Sequence, residues 1–267
     1  STLNGDGGND IFNVRAMNGD VNVNGGADDD TINVGSDAPA LPSIPTTQQG
    51  TIDAINGLLT VDGGTGNSDV LNVDDSDPAN SAKSGTLTDA AIQGLELEQG
   101  IHYSNMDALN IWLAFGSNIF DILSTHAGTT TVNMAEGDDT VLILDAAGML
   151  FVNGEADADT FNVNGTGAGS VATLNGSGGD DVFNIRSMAG RVHVWGGAGS
   201  DTVNVSDTEQ NLDQIQGPLI LEGGAVADSG ATDLLNVCHT NNDDAETGRL
   251  FYRTGGAILN PGLALTG

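Results

Sequence analysis

The sequence predicts an all-β protein, a right-handed parallel β-solenoid (β-helix or β-roll) of roughly ten coils, about 20 residues to the coil. Three observations predict it. A five-residue signature, Asp-x-apolar-Asn-apolar, recurs from one end of the chain to the other. Each copy follows a tight turn rich in Gly and Asp, and a second alternating run precedes that turn. Helical periodicity is almost absent, while period-two alternation of branched and polar residues is frequent.

The signature opens as "DIFNV" at 10–14 and continues as "DTINV" at 30–34, "DVLNV" at 69–73 and "DALNI" at 107–111. It returns as "DTFNV" at 159–163, "DVFNI" at 181–185, "DTVNV" at 201–205 and "DLLNV" at 233–237. Degenerate copies are "NIFDI" at 118–122 and "DTVLI" at 139–143. From Asn118 the lead residues fall at 118, 139, 159, 181 and 201, in steps of 21, 20, 22 and 20. In "DTVNV" the valines Val203 and Val205 share one side of the strand, and Thr202 and Asn204 the other. One period therefore reads strand, acidic turn, strand, second turn. Stacked periods bury the apolar columns and leave the Thr and Asn columns outside, with coils about 4.8 Å apart.

The chain is expected to form one solenoid domain over residues 1–267, with insertions at 35–57, from 74 to about 99, and near 206–218. The first holds three prolines, which exclude a central strand. A larger repeat overlies the small one. "GDGGNDIFNVRAMNGDVNVNGGADDDTINV" at 5–34 aligns with "GSGGDDVFNIRSMAGRVHVWGGAGSDTVNV" at 176–205, an offset of 171 residues. "DVLNVDD…SGTLTDAAIQGLELEQG" pairs loosely with "DLLNVCH…TGRLFYRTGGAILNPGLALTG". About one and a half copies of a super-repeat are present, the pattern of a tandem array or of a fibre subunit.

Composition narrows the partners. There are 37 acidic residues against six basic ones, a formal charge of −31, and Asp outnumbers Glu 30 to 7. Asp is preferred where a carboxylate must sit close to a turning backbone. Such a chain repels nucleic acid and anionic lipid and attracts cations. No apolar run approaches the length of a membrane-spanning helix. A lone cysteine, Cys238, allows no internal disulfide.

The turn "GGAGSDTVN" at 196–204 fits the pattern G-G-x-G-x-D-x-U-x. "GDGGNDIFN" (5–13), "GGADDDTIN" (25–33), "GEADADTFN" (154–162) and "GSGGDDVFN" (176–184) fit with one or two departures, and "GGTGNSDVLN" (63–72) carries one extra residue. In these turns the chain resembles the RTX (hemolysin-type) calcium-binding repeats and the Asp/Gly-rich tandem repeats of giant bacterial surface proteins. The resemblance implies Ca²⁺ held by strand-leading carboxylates and turn carbonyls. Carried over, the ligands are Asp10, Asp30, Asp159, Asp181 and Asp201, with Asp139 and Asp233 on weaker matches. The opposite turns, "RAMNGD" (15–20), "STHAGT" (124–129), "LDAAGM" (144–149) and "RSMAGR" (186–191), lack the pattern. The expectation is therefore at most one calcium column, on one edge, with its pairing in doubt wherever a coil exceeds about 22 residues.

Electrostatics favours a cation independently. Carboxylates stacked about 5 Å apart repel by roughly 3 kcal/mol per pair at an effective dielectric near 20. An all-oxygen set of carboxylates and carbonyls suits Ca²⁺. The competing reading makes these Asp residues turn formers, each capping a backbone N–H without metal. The function expected is a calcium-stabilised structural segment of an extracellular or cell-surface protein, an adhesin, spacer or filament block without enzymatic activity. Millimolar extracellular calcium would fill even weak sites, and open solenoid ends would allow end-to-end self-association. The alternative is a carbohydrate-active (lyase- or epimerase-like) or glycan-binding β-helix, with a cleft built from the insertions.

The remaining candidates have plainer readings. The Asn column (Asn13, Asn33, Asn72, Asn110, Asn162, Asn184, Asn204, Asn236) is expected to form a surface ladder; a flat Thr/Asn array is also a possible glycan or ice surface. His102, His126, His193 and His239 are scattered and form no ligand pair. Arg15 and Arg186 recur at equivalent positions of the super-repeat, as scaffold residues do. Trp112, Phe115 and Phe120 are expected to cover the core near the insertions.

Overall fold

The computed structural model describes residues 1–38, 50–77, 79, 82–210, 212–224 and 231–238, with the backbone alone of Tyr252–Thr254 and Ala257–Leu259. The prolines of the first insertion and His239 lie outside the described residues. Every regular element described is a strand.

Two long sheets face each other. One has twelve strands, in the order β1 (Thr2–Asn4), β4 (Val21–Gly26), β7 (Leu59–Gly64), β11 (Ile101–Ser104), β10 (Ala91–Gly94), β9 (Ser84–Leu87), β13 (Ile119–Ile122), β15 (Thr140–Ile143), β17 (Thr160–Val163), β19 (Val182–Ile185), β21 (Thr202–Val205) and β23 (Leu234–Val237). The other has nine: β2 (Ile11–Val14), β5 (Thr31–Val34), β8 (Val70–Asp74), β12 (Ala108–Trp112), β14 (Thr129–Asn133), β16 (Met149–Asn153), β18 (Val171–Gly178), β20 (Arg191–Ala198) and β22 (Leu219–Glu222). Two small sheets complete the set, β3 (Met17–Asn18) beside β6 (Ile55–Asn56), and β24 (Tyr252–Thr254) beside β25 (Ala257–Leu259). Successive coils pair in parallel and in register, so the fold is the expected parallel β-solenoid.

The register shows why these residues become strands. Phe120, Val141, Phe161, Phe183 and Val203 lie opposite one another on consecutive rungs, and Ile122, Ile143, Val163, Ile185 and Val205 form the next inward column. Phe161 and Phe183 stack with ring centroids 4.7 Å apart, an offset of one rung. Both are fully buried, as are Leu150, Val152, Ala172 and Leu174 on the facing sheet. Trp112 and Phe120 are buried near the second insertion, as expected of core covers.

The insertion of 74–99 is more than a loop. Its strands β9 and β10 enter the twelve-stranded sheet between β11 and β13, with β10 antiparallel to both neighbours. The loosely matching C-terminal segment likewise yields an antiparallel pair, β24 with β25.

The edge turns change side along the solenoid. Up to β12, each Gly/Asp turn carries the chain from the twelve-stranded sheet to the nine-stranded one; from β13 onward it runs the other way. The exchange occurs at 113–118, where the signature recurs, in β13, after half a coil instead of a full one. The expected single acidic edge is therefore wrong. There are two acidic columns, on opposite edges and in different halves of the solenoid.

Candidate metal centre

Each acidic column is a chain of hydrogen bonds. In the first half, the backbone N–H of Asp10 donates to Asp30 Oδ1 at 2.8 Å, that of Asp30 to Asp69 Oδ1 at 2.8 Å, and that of Asp69 to Asp107 Oδ2 at 2.9 Å. In the second half, Lys83 N–H donates to Asn118 Oδ1 (2.8 Å), Asn118 N–H to Asp139 Oδ1 (2.6 Å), and Asp139 N–H to Asp159 Oδ1 (2.8 Å). Asp159 then donates to Asp181 Oδ1 (2.8 Å), Asp181 to Asp201 Oδ1 (3.1 Å), and Asp201 to Asp233 Oδ1 (3.2 Å). Every sequence-predicted ligand lies in one of the two columns: Asp10 and Asp30 in the first, and Asp139, Asp159, Asp181, Asp201 and Asp233 in the second. The pairing survives long coils, because Asp30 and Asp69 stay bonded across 39 residues. Three column members were missed. Asp69 was masked by its one-residue-longer turn, Asp107 by a turn without glycine, and Asn118 by its side chain.

The glycine five residues before the Asp explains the motif. A methyl group added to Gly25, Gly154, Gly176 or Gly196 would overlap Oδ2 of Asp30, Asp159, Asp181 or Asp201 respectively. At these four turns the absence of a Cβ lets the carboxylate fold back beneath its own turn, while Asp139 reaches the same burial with Met134 at that position. Asp30, Asp139, Asp159 and Asp181 are at most 2% exposed. Their Oδ2 atoms, and that of Asp10, are buried without a hydrogen-bond partner. Such oxygens are uncommon in folded proteins and call for a proton or a cation.

Burial is the main influence on their acidity. It pushes Asp139 up to about 8, Asp159 to about 7 and Asp181 to about 6. The N–H bond to each carboxylate pulls the other way, and the next Asp along the column pushes up again.

The donor set fits calcium in kind, with carboxylate oxygens beside turn carbonyls. Among the described residues, no three His, Cys, Asp or Glu side chains converge on one point. A bound ion would therefore draw most of its ligands from the backbone carbonyls of successive turns, such as Gly25 and Gly63, with the orphaned Oδ2 atoms supplying the charge.

Other candidates find structural partners. All eight Asn residues of the expected ladder are hydrogen-bonded rung to rung: Asn33 to Asn13, Asn72 to Asn33 and Asn110 to Asn72, then Asn184 to Asn162, Asn204 to Asn184 and Asn236 to Asn204. The ladder is broken between Asn110 and Asn162, where the signature changes sheet. Arg186 Nη1 donates to Asn162 and Asn164, and Arg15 Nε donates to the Ala38 carbonyl. Lys83, the only lysine, is buried against Asp53 (3.0 Å) and Glu96 (2.6 Å), with Asp75 at 3.8 Å. It pins the two insertions together, a role invisible in the sequence because its partners lie in separate segments. A cavity of about 300 Å³ is lined by Asp89, Tyr103, Asn105, Asp107 and His126 where the first column ends. Only Asp89 of that lining comes from an insertion.

No protein-family model matches the chain, and no curated protein matches it significantly. The resemblance to RTX repeats thus rests on the turn motifs alone.

Proposed function

We propose that this chain is a calcium-stabilised structural segment of an extracellular or cell-surface protein, a spacer, adhesin segment or filament block. The observation that carries the proposal is the stack of buried, unpartnered carboxylate oxygens on Asp10, Asp30, Asp139, Asp159 and Asp181. A formal charge of −31 leaves almost no internal cations to neutralise them. Bound Ca²⁺ would supply that charge, with the Oδ2 atoms and neighbouring turn carbonyls as ligands; near-millimolar calcium outside cells suits such sites. The chain's own residues supply the rest: glycines admit the carboxylates, and each Oδ1 ties one coil to the next.

One further reading has a specific observation behind it. Because each Oδ1 already caps an N–H, a proton on Oδ2 would satisfy the column without metal. Calcium binding measured by equilibrium dialysis separates the two readings. Asp159→Asn and Asp181→Asn together preserve the ladder, as Asn118 does in the same position, and should remove bound calcium. Asp138→Asn and Asp180→Asn, at neighbouring turn positions outside the ladder, should remove little. Equal, low binding by the wild type and all variants would leave the protonated ladder as the correct description.

A further inference from the structure

The outer face of the nine-stranded sheet carries one group that the scaffold does not require. Trp195 on β20 is 44% exposed. Its indole Nε1–H donates to His193 Nδ1 at 3.2 Å, and His193 Nε2 lies 3.1 Å from Glu222 Oε1 on β22. Indole N–H is only a donor, so His193 accepts through Nδ1 and holds its own proton on Nε2, directed at Glu222. The two rings lie 5.0 Å apart. A side chain usually free to rotate is thus held in one orientation by a relay of two bonds.

The super-repeat supplies an internal control. At the offset of 171 residues, Trp195 corresponds to Asn24 and His193 to Asn22. Asn24 serves the same strand position in the first copy, so the rung folds without an aromatic residue. Across the register, Trp195 also interrupts the column of Asn133, Asn153 and Asn175. An exposed, oriented indole that departs from the repeat gains the fold little. Its surroundings define a ligand. Asn175 lies one rung back and Glu222 one rung on, while Arg191 projects from the same face of the strand. One acid and one base leave the patch locally neutral, and the acidic chain as a whole repels polyanions.

We infer that this face binds a neutral glycan, one pyranose stacking its C–H face on Trp195 while its hydroxyls meet Asn175 and Glu222, the next sugar running along the strand toward Arg191. A flat aromatic ring flanked by amide, carboxylate and guanidinium groups matches a sugar's apolar face and polar rim. The site lies on the outer face of the sheet, with the end of the third insertion, Pro218, paired beside Arg191 and Val192.

The test titrates the whole chain with cellohexaose, maltohexaose and chitohexaose. Tryptophan fluorescence reports on Trp195, because Trp112, the only other tryptophan, is 7% exposed. A saturable change with at least one sugar is expected, with calorimetry giving its Kd. Trp195→Asn, which installs the side chain of the first copy, should leave the melting temperature unchanged and weaken binding by at least about tenfold. Glu222→Gln should weaken it less. Silence with all three sugars overturns the inference, as does undiminished binding by Trp195→Asn. Sedimentation of the unliganded chain as a Trp195-dependent dimer would also overturn it, assigning the face to a second copy.

Discussion

The two halves of the solenoid use one turn on opposite edges. From Asp10 to Asp107 the acidic turns leave the twelve-stranded sheet; from Asn118 to Asp233 they leave the nine-stranded sheet. The hydrogen bond that joins the coils is nevertheless the same in both halves, 2.8 Å for Asp10 to Asp30 and 2.8 Å for Asp159 to Asp181. The unit of construction is therefore the strand-leading side chain that caps the N–H of the coil before it, and either edge accepts it. Coil length matters little for the same reason. In the first half the insertions leave from the edge opposite the acidic column, so consecutive Asp residues meet at sequence separations of 39 and 38.

The sharpest way to break that equivalence is at the glycines. Gly176→Ala would drive a methyl group into Asp181 Oδ2, and Gly25→Ala would do the same to Asp30 Oδ2. Each should cost more than about 2 kcal/mol in urea unfolding. Gly7→Ala, with open space around the added carbon, should change stability by less than about 0.5 kcal/mol. A large cost in one half alone would mean that the two turns are not equivalent.

A smaller effect is expected from pH. Folded-state values raised to about 8, 7 and 6 at Asp139, Asp159 and Asp181 lie above the unfolded value near 3.9. The folded state then binds these protons more tightly. Their contribution is complete below about pH 4 and is lost as pH rises through 6 to 8. In chelator, the melting temperature should fall between pH 5 and 8.5, and Asp159→Asn with Asp181→Asn should flatten that fall.

The smallest effect is expected at the Asn ladder. Asn184 donates to Asn162 and accepts from Asn204, so Asn184→Ala should cost about 1–2 kcal/mol. Asn72→Ala, between Asn33 and Asn110, should cost about the same, because the ladder is built alike in both halves. A marked difference would show that position on the sheet, rather than the ladder, sets the value.

Much of this was legible in the sequence because it is local. Alternation in "DTFNV" and "DVFNI" assigns Phe161 and Phe183 inward and Asn162 and Asn184 outward, and the fold follows by stacking. The change of edge was also written there. Asp107 and Asn118 lead two signatures only 11 residues apart, half a coil, whereas the other leads are separated by whole coils. The antiparallel insertion of β9 and β10 was not legible, since "SGTL" and "AIQG" do not encode a choice of neighbour. The Lys83 cluster and the link from Trp195 to Glu222 join residues from separate coils, so they appear only once the coils are stacked.

The central claim, that the acidic columns take a cation, is tested most directly by melting the wild-type chain at pH 8.5 in EGTA and again in millimolar Ca²⁺. At that pH Asp139, Asp159 and Asp181, pushed up by burial to about 8, 7 and 6, are largely ionised without metal, and their mutual repulsion is at its greatest. The account requires a melting temperature many degrees lower in EGTA, restored in full by calcium. Superimposable melting curves would contradict it.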